Sequence, residues 1–207
     1  MLSWSTDSYV PNDYQGKALP TTGSTVRVAA EPIKKLALDP DKLTYRWILD
    51  HQVNGNASGQ GKAVFKFLVT KWTGDSHEVK LQILNQQGNI LEEDIMTIKI
   101  ANPELLLTRS GQDYALQNKL ETATGQEIKF AAIPLFFHIK NLTEIDWQWT
   151  YDGQNLTSPD EKDLNILNLI IPEGNLNQVL EQNLKVSAAN KNDQSQQSSV
   201  NLNLQIK

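Results

Sequence analysis

Side chains able to do acid–base, metal or nucleophilic chemistry are few in this chain, and they are scattered. Three histidines, His51, His77 and His138, stand alone. None has a second histidine at the i, i+2 or i+4 spacing that would set two imidazoles on one metal. His51 follows Asp50 directly and reads as a loop residue in water. The absence of cysteine excludes thiolate metal sites, thiol chemistry and a disulfide framework. Carboxylates gather in "LDPDK" (Asp39, Asp41) and "SPDEKD" (Asp160, Glu161, Asp163), with Asp152 upstream. Such oxygen ligands suit Ca²⁺. Neither run has the alternating Asp-x-Asp-x-Asp-Gly of a dedicated loop, so both read as solvated charged loops and no metal site is expected. "GNASGQG" (Gly55 to Gly61) is glycine-rich, but a strand follows it. A phosphate cradle needs a helix N-terminus there. No catalytic residue and no cofactor site is therefore expected.

Two tryptophans stand apart because no repeat copies them, Trp4 and Trp72. Trp72, in "TKWTGDSH", lies past a buried strand and before a turn, where an exposed indole could stack on a sugar or anchor a protein, or could equally cover the end of the core. Trp72, with Asn54 and Asn56 of the glycine-rich loop, is the candidate contact surface for a partner or ligand. Asn-x-Ser/Thr triplets at Asn56, Asn141 and Asn155 occur about as often as chance gives and carry no weight. A Lys–Asn isopeptide bond would need a lysine near a first strand facing an asparagine on a last strand. Lys17 or Lys119 with Asn203 would satisfy that placement, though nothing marks these residues out.

The bulk numbers fit two domains better than one. The chain has 207 residues, 39% hydrophobic and 21% charged, enough apolar material for real cores. Formal net charge is -5. Residues 1–102 carry 11 basic and 11 acidic groups, and residues 103–207 carry 8 and 13. An acidic excess argues against a nucleic-acid partner, since phosphate binding needs a basic face. No apolar run approaches the ~20 residues that span a bilayer. "MLSWSTDSYV" has neither a basic nor an apolar signal region. Any membrane attachment is thus expected through segments outside this chain.

The elements that must carry these residues come twice. "LTYRWILD" (Leu43 to Asp50) returns as "IDWQWTYD" (Ile145 to Asp152), an offset of 149 − 47 = 102. Held fixed, that offset also sets Thr22-Gly23 on Thr124-Gly125, Ala29-Ala30 on Ala131-Ala132, and Pro32 on Pro134. It sets Phe65, Phe67 and Val69 on Leu167, Leu169 and Ile171. A slip of three then brings "KLQILN" (Lys80 to Asn85) onto "KVSAAN" (Lys185 to Asn190). The period is the size of a domain, too long for a solenoid repeat. "ANPE" (Ala101 to Glu104) marks the boundary, giving domains 1–102 and 103–207.

Each copy alternates apolar and polar residues with period two: Val26/Val28/Ala30, Leu43/Tyr45/Trp47/Leu49, Val79/Leu81/Ile83 and Met96/Ile98/Ile100 in the first. In the second the same pattern runs through Ile128/Phe130/Ala132, Ile145/Trp147/Trp149/Tyr151, Leu184/Val186/Ala188 and Val200/Leu202/Leu204/Ile206. One wet and one dry face per strand predicts two sheets closing on each other as a sandwich. Tyr45, Trp47, Trp147 and Trp149 are then core. Two stretches stay ambiguous between loop and short helix: Gly111 to Leu120, and Asn175 to Asn183 with Leu176, Val179 and Leu180.

The aromatic-x-Trp…Asp strand, the "VRVAAEP" and "IKFAAIP" strands upstream of it, and the final strand at each boundary carry a family likeness. The layout resembles the PKD and bacterial immunoglobulin-like modules found in tandem on surface proteins, and the opening looks like such proteins of small-genome bacteria. "WILDHQ" and "WTYDGQ" stand where PKD modules have Trp-Asp-Phe-Gly-Asp-Gly. The resemblance implies an all-β chain of two tandem immunoglobulin-like (PKD-like) β-sandwich domains at the cell surface, anchored in the full-length protein. It implies a non-enzymatic spacer, scaffold or adhesion role, with a surface glycan or a protein as partner. The chain would be a monomer or part of a larger surface assembly. The alternative is a glycan-binding module using Trp72 and the inter-strand loops.

Overall fold

The computed structural model describes residues 1–31, 39–112, 114–156, 163–174 and 178–207. Pro32, Asp160, Glu161 and Leu176, singled out above, lie outside them. The chain divides into two compact units, Met1–Ser8 with Gly16–Asn102, and Tyr9–Gln15 with Pro103–Lys207. These differ from a plain division at residue 102 in the seven-residue strap Tyr9–Gln15, which packs with the second half. Each unit is a β-sandwich, and the chain is all-β.

In the first unit the strands are β1 (Leu2–Thr6), β2 (Thr25–Ala30), β3 (Thr44–Leu49), β4 (Gln52–Val53), β5 (Gly59–Gln60), β6 (Val64–Leu68), β7 (Ser76–Leu84) and β8 (Ile90–Lys99). One sheet runs β1-β2-β6. The other runs β4-β3-β7-β8, with β5 also paired to β3. All pairs are antiparallel. Alternation decides which side chains meet between the sheets. Val26, Val28, Phe65 and Phe67 from the first sheet pack against Tyr45, Trp47, Val79, Leu81 and Ile98 from the second. Trp47 is fully buried, stacked on Phe65 with ring centroids 5.6 Å apart. Its indole N–H donates to Lys62 O at 2.9 Å, so burying the ring leaves no donor unpaired.

The second unit repeats this plan with β9 (Glu104–Arg109), β10 (Lys119–Thr122), β11 (Glu127–Leu135), β12 (Ile145–Tyr151), β13 (Gln154–Leu156), β14 (Ile166–Ile170), β15 (Leu180–Asn190) and β16 (Asp193–Ile206). Its sheets are β14-β11-β9 and β10-β16-β15-β12-β13. The 102-residue offset carries hydrogen bonds as well as letters. Trp149 donates to Leu164 O at 3.0 Å, 102 residues beyond Trp47 and Lys62. Tyr45 donates to Pro40 O and Trp147 to Leu142 O, each at 3.3 Å. The slip of three is present as register: Ile48 pairs with Lys80, and Thr150 with Lys185. Trp149 is buried, whereas Trp147 is only partly so, at the margin of the core.

The ambiguous stretches resolve without a helix among the described residues. Leu180–Asn183 opens β15, and Lys119–Leu120 opens β10. Strand β10 pairs with β16 in parallel, with Lys119 opposite Asn203. The alternation pattern held no sign of that pairing, because four residues are too short to show a period.

Candidate functional site

Two of the histidines that stand alone in sequence, His51 and His77, meet carboxylates in space. Strand β3 ends in a two-residue turn, with Asp50 at φ 48° and His51 at φ 67°. Leu49 pairs with Gln52 across it. Two positive φ values make this a type I′ hairpin, the turn whose twist matches antiparallel strands. The second unit has Asp152 at φ 47° and Gly153 at φ 79° in the same place. The Asp of the repeated motif is therefore first of all a turn residue.

In the first unit that turn carries Asp50 into a cluster. Its Oδ2 lies 2.7 Å from His77 Nδ1, and its Oδ1 lies 2.9 Å from Lys71 Nζ. Oδ1 also accepts from the Glu78 backbone N–H at 3.0 Å. Lys71 donates in addition to Ser76 O, and His51 lies 3.5 Å from Glu78. Burial alone would raise the Asp50 carboxyl. Hydrogen bonds from Lys71, the Glu78 backbone and His77, with the charge on His77, outweigh burial and hold it below the ordinary carboxylate range.

The cluster has the members of an acid–base site, but its imidazole is closed off from solvent. His77 is 2% exposed and meets Phe67 edge-on at 5.0 Å. Its Nε2 is buried with no partner among the described residues, so no substrate proton can reach it. What the arrangement does is mechanical: one carboxylate ties the β3–β4 turn, the segment after β6 and the start of β7 together. Reading the histidines by sequence spacing missed this cluster. One signal was available. His77 sits two residues before Val79, in the inward register of β7 with Leu81 and Ile83, and an inward histidine needs a partner. In the second unit Gln182 stands at the His77 position and accepts from the Tyr151 hydroxyl.

The surface residues singled out from sequence fall in two places. Trp72 is 64% exposed and opens the turn in which Asp75 N–H donates to its carbonyl. Asn54 is held in its own turn, its Oδ1 accepting from Ala57 N–H and its carbonyl from the Ser58 hydroxyl. Ser58 Oγ in turn accepts from Trp47 N–H, so Asn54 supports the core strand. Asn56 is exposed, and its carbonyl accepts from Lys62 Nζ. Trp72 follows Lys71 in the segment between β6 and β7, whereas the Asn54–Gly61 segment follows β4 and pairs with β3 through β5, so these residues sit on separate segments. Lys17 Nζ lies over the Trp4 ring, 3.4 Å from its centroid, a cation–π contact. Lys119 pairs with Glu121. Asp39 caps the short 3-10 turn Pro40–Lys42 by accepting from Asp41 N–H. Among the described residues, no three His, Asp or Glu side chains gather as metal ligands.

The second unit has a concave feature that sequence reading did not find. The strap Tyr9–Gln15 lies against the outer face of β9 and β11. Tyr9 N–H donates to Phe137 O, and Phe136 N–H to Tyr9 O, both at 2.7 Å. Tyr14 meets Phe136 edge-on at 6.0 Å. Phe136 itself sits at φ 64°, a conformation costly for a bulky residue and held here by that pair of bonds. Between strap and sheet is a cleft of about 520 Å³.

No family model and no curated protein matches the chain. Solved structures similar to it include fibronectin(III)-like modules of CbhA from Clostridium thermocellum, at 14% identity and a TM-score of 0.33, over 99% of this chain and 94% of that one. Another is SGBP-B of a mixed-linkage glucan utilization locus of Bacteroides ovatus, in complex with a mixed-linkage heptasaccharide. It shares 13% identity at a TM-score of 0.28, over 99% of this chain and 47% of that one. Immunoglobulin domains 1–5 of Sidekick-1 share 9% identity at a TM-score of 0.33, over 99% of this chain and 38% of that one.

Proposed function

We propose that this chain is a non-enzymatic pair of extracytoplasmic sandwich modules of the immunoglobulin-like, PKD-like kind, serving as spacer and scaffold on a bacterial surface. The supporting observation is how the two copies have diverged. Inward positions keep their character: Val28 and Phe130, Trp47 and Trp149, Phe67 and Leu169 are buried in both units. Outward positions on the matching sheets do not. The first unit has Arg46 donating to Gln82, and Gln82 and Lys80 bound to Glu93. The second has Gln148 opposite Ser187, and Ser187 opposite Ser199. Constancy inside with freedom outside is what a repeated structural spacer requires, since its work rests on the core and leaves the faces to their partners. An antibody against the chain should label intact cells of the source organism. Labelling only after permeabilisation would sink the surface assignment.

A second reading rests on the exposed Trp72 indole, which offers a stacking face for a sugar ring. In that case a glycan array probed with the chain should give signals that Trp72→Ala abolishes. A blank array leaves the scaffold reading alone.

A further inference from the structure

We propose that the cleft in the second unit is a binding site for a small organic ammonium ligand with an apolar body. The floor is the outer face of a sheet, where alternation normally puts polar side chains. Here β9 offers Leu106 and β11 offers Ile133 and Leu135. At the positions matching Leu106 and Ile133, the first unit has Trp4, capped by Lys17, and the exposed Glu31. The second unit thus has an aliphatic residue at both positions, with Ile133 where the first unit is charged, and the strap walls this face on one side with Tyr14. The volume of about 520 Å³ lies within the range of small-molecule sites, ~300–1,000 Å³.

The polar groups at the cleft fix the ligand's head. Gln112 lines it, but its Oε1 is buried away from the opening. Thr108 lines it too, but its hydroxyl already donates to Ala131 O. Asp13 is the one charged residue among the described lining residues. A carboxylate at the cleft calls for a donor carrying positive charge, and it repels an anion. An aliphatic floor calls for a flat or branched hydrocarbon body. A primary amine on an apolar ring system meets both demands.

The test is a titration of the whole chain followed by amide NMR, with tryptamine as probe and indole-3-propionate as a control with a similar body and opposite charge. Tryptamine should shift the amides of Leu106, Thr108, Gln112 and Ile133 along one saturable curve, and indole-3-propionate should not. Asp13→Asn, at an exposed position, should weaken tryptamine at least fivefold with the spectrum otherwise unchanged. Absence of saturation at these amides, equal binding of the anion, or full affinity in Asp13→Asn would each overturn the proposal. None of these results bears on the scaffold role.

Discussion

His77 and Asp50, 27 residues apart in sequence, meet at 2.7 Å, and Lys71 closes on the other carboxylate oxygen. The cluster binds three segments of the first unit through one ionised group, so its contribution to stability follows the ionisation of Asp50.

The sign is fixed by the direction of the shift. Asp50 is held lower in the folded state than in the unfolded chain. Its stabilisation is therefore present above the unfolded value, near 3.9, and is lost as pH falls through the folded value. Lys71, His77, His51 and Glu78 are the charged and titratable groups around it. Melting of the wild-type chain should show the first unit losing stability below about pH 4. Asp50→Asn keeps a residue suited to the turn but removes the charge. At pH 7 it should cost about 1.5–3 kcal/mol, the scale of hydrogen bonds to a charged group, and should flatten the acid limb. An unchanged acid limb in that variant would show that other carboxylates set it.

The paired turns allow a test of backbone strain. Gly153 has φ 79° and open space around an added Cβ. Gly153→Ala should nonetheless destabilise the second unit by about 1–2 kcal/mol, the cost of a left-handed conformation. The converse change, His51→Gly, should be neutral or mildly stabilising, because His51 at φ 67° already bears that cost. Denaturant midpoints of the two variants decide the matter.

Trp47→Ala and Trp149→Ala should each cost ~3–5 kcal/mol, a large share of the 5–15 kcal/mol typical of a domain. Each should act mainly on its own unit's transition. If Trp149→Ala leaves both transitions in place, the ring is not holding the second core.

A fragment of residues 103–207 lacks the strap. It gives up the two Tyr9 backbone bonds and the Tyr14 contact with Phe136. Calorimetry should show it melting several degrees below the same unit in the whole chain, since two hydrogen bonds alone are worth about 1–3 kcal/mol. A fragment beginning at Ser8 and lacking only β1 would not test the strap. Equal melting temperatures would mean that Tyr9–Gln15 contributes nothing.

Chelation should leave melting unchanged. Asp39 is already engaged with Asp41 N–H and Lys42. A rise of several degrees with added Ca²⁺, reversed by EDTA, would require a site that the described carboxylates do not form.

The sequence by itself determined the duplication, the sandwich and most of the core. The duplication rests on letters that repeat at a fixed offset, the sandwich and the core on local periodicity, and a period-two pattern commits a strand's faces before any partner is present. Trp47 and Trp149 could be placed in cores from letters alone. So could the three-residue offset of β15 relative to β7, which is visible as soon as the two copies are aligned, though not which residues of β3 and β12 they pair with. Tertiary structure alone decided what depends on closing the chain over distance. It set His77 beside Asp50, laid β10 in parallel on β16, and carried Tyr9–Gln15 away from the half of the sequence that contains it. No local pattern encodes such meetings. They follow from which side chains remain unpaired, and which apolar faces remain uncovered, once the sheets have packed.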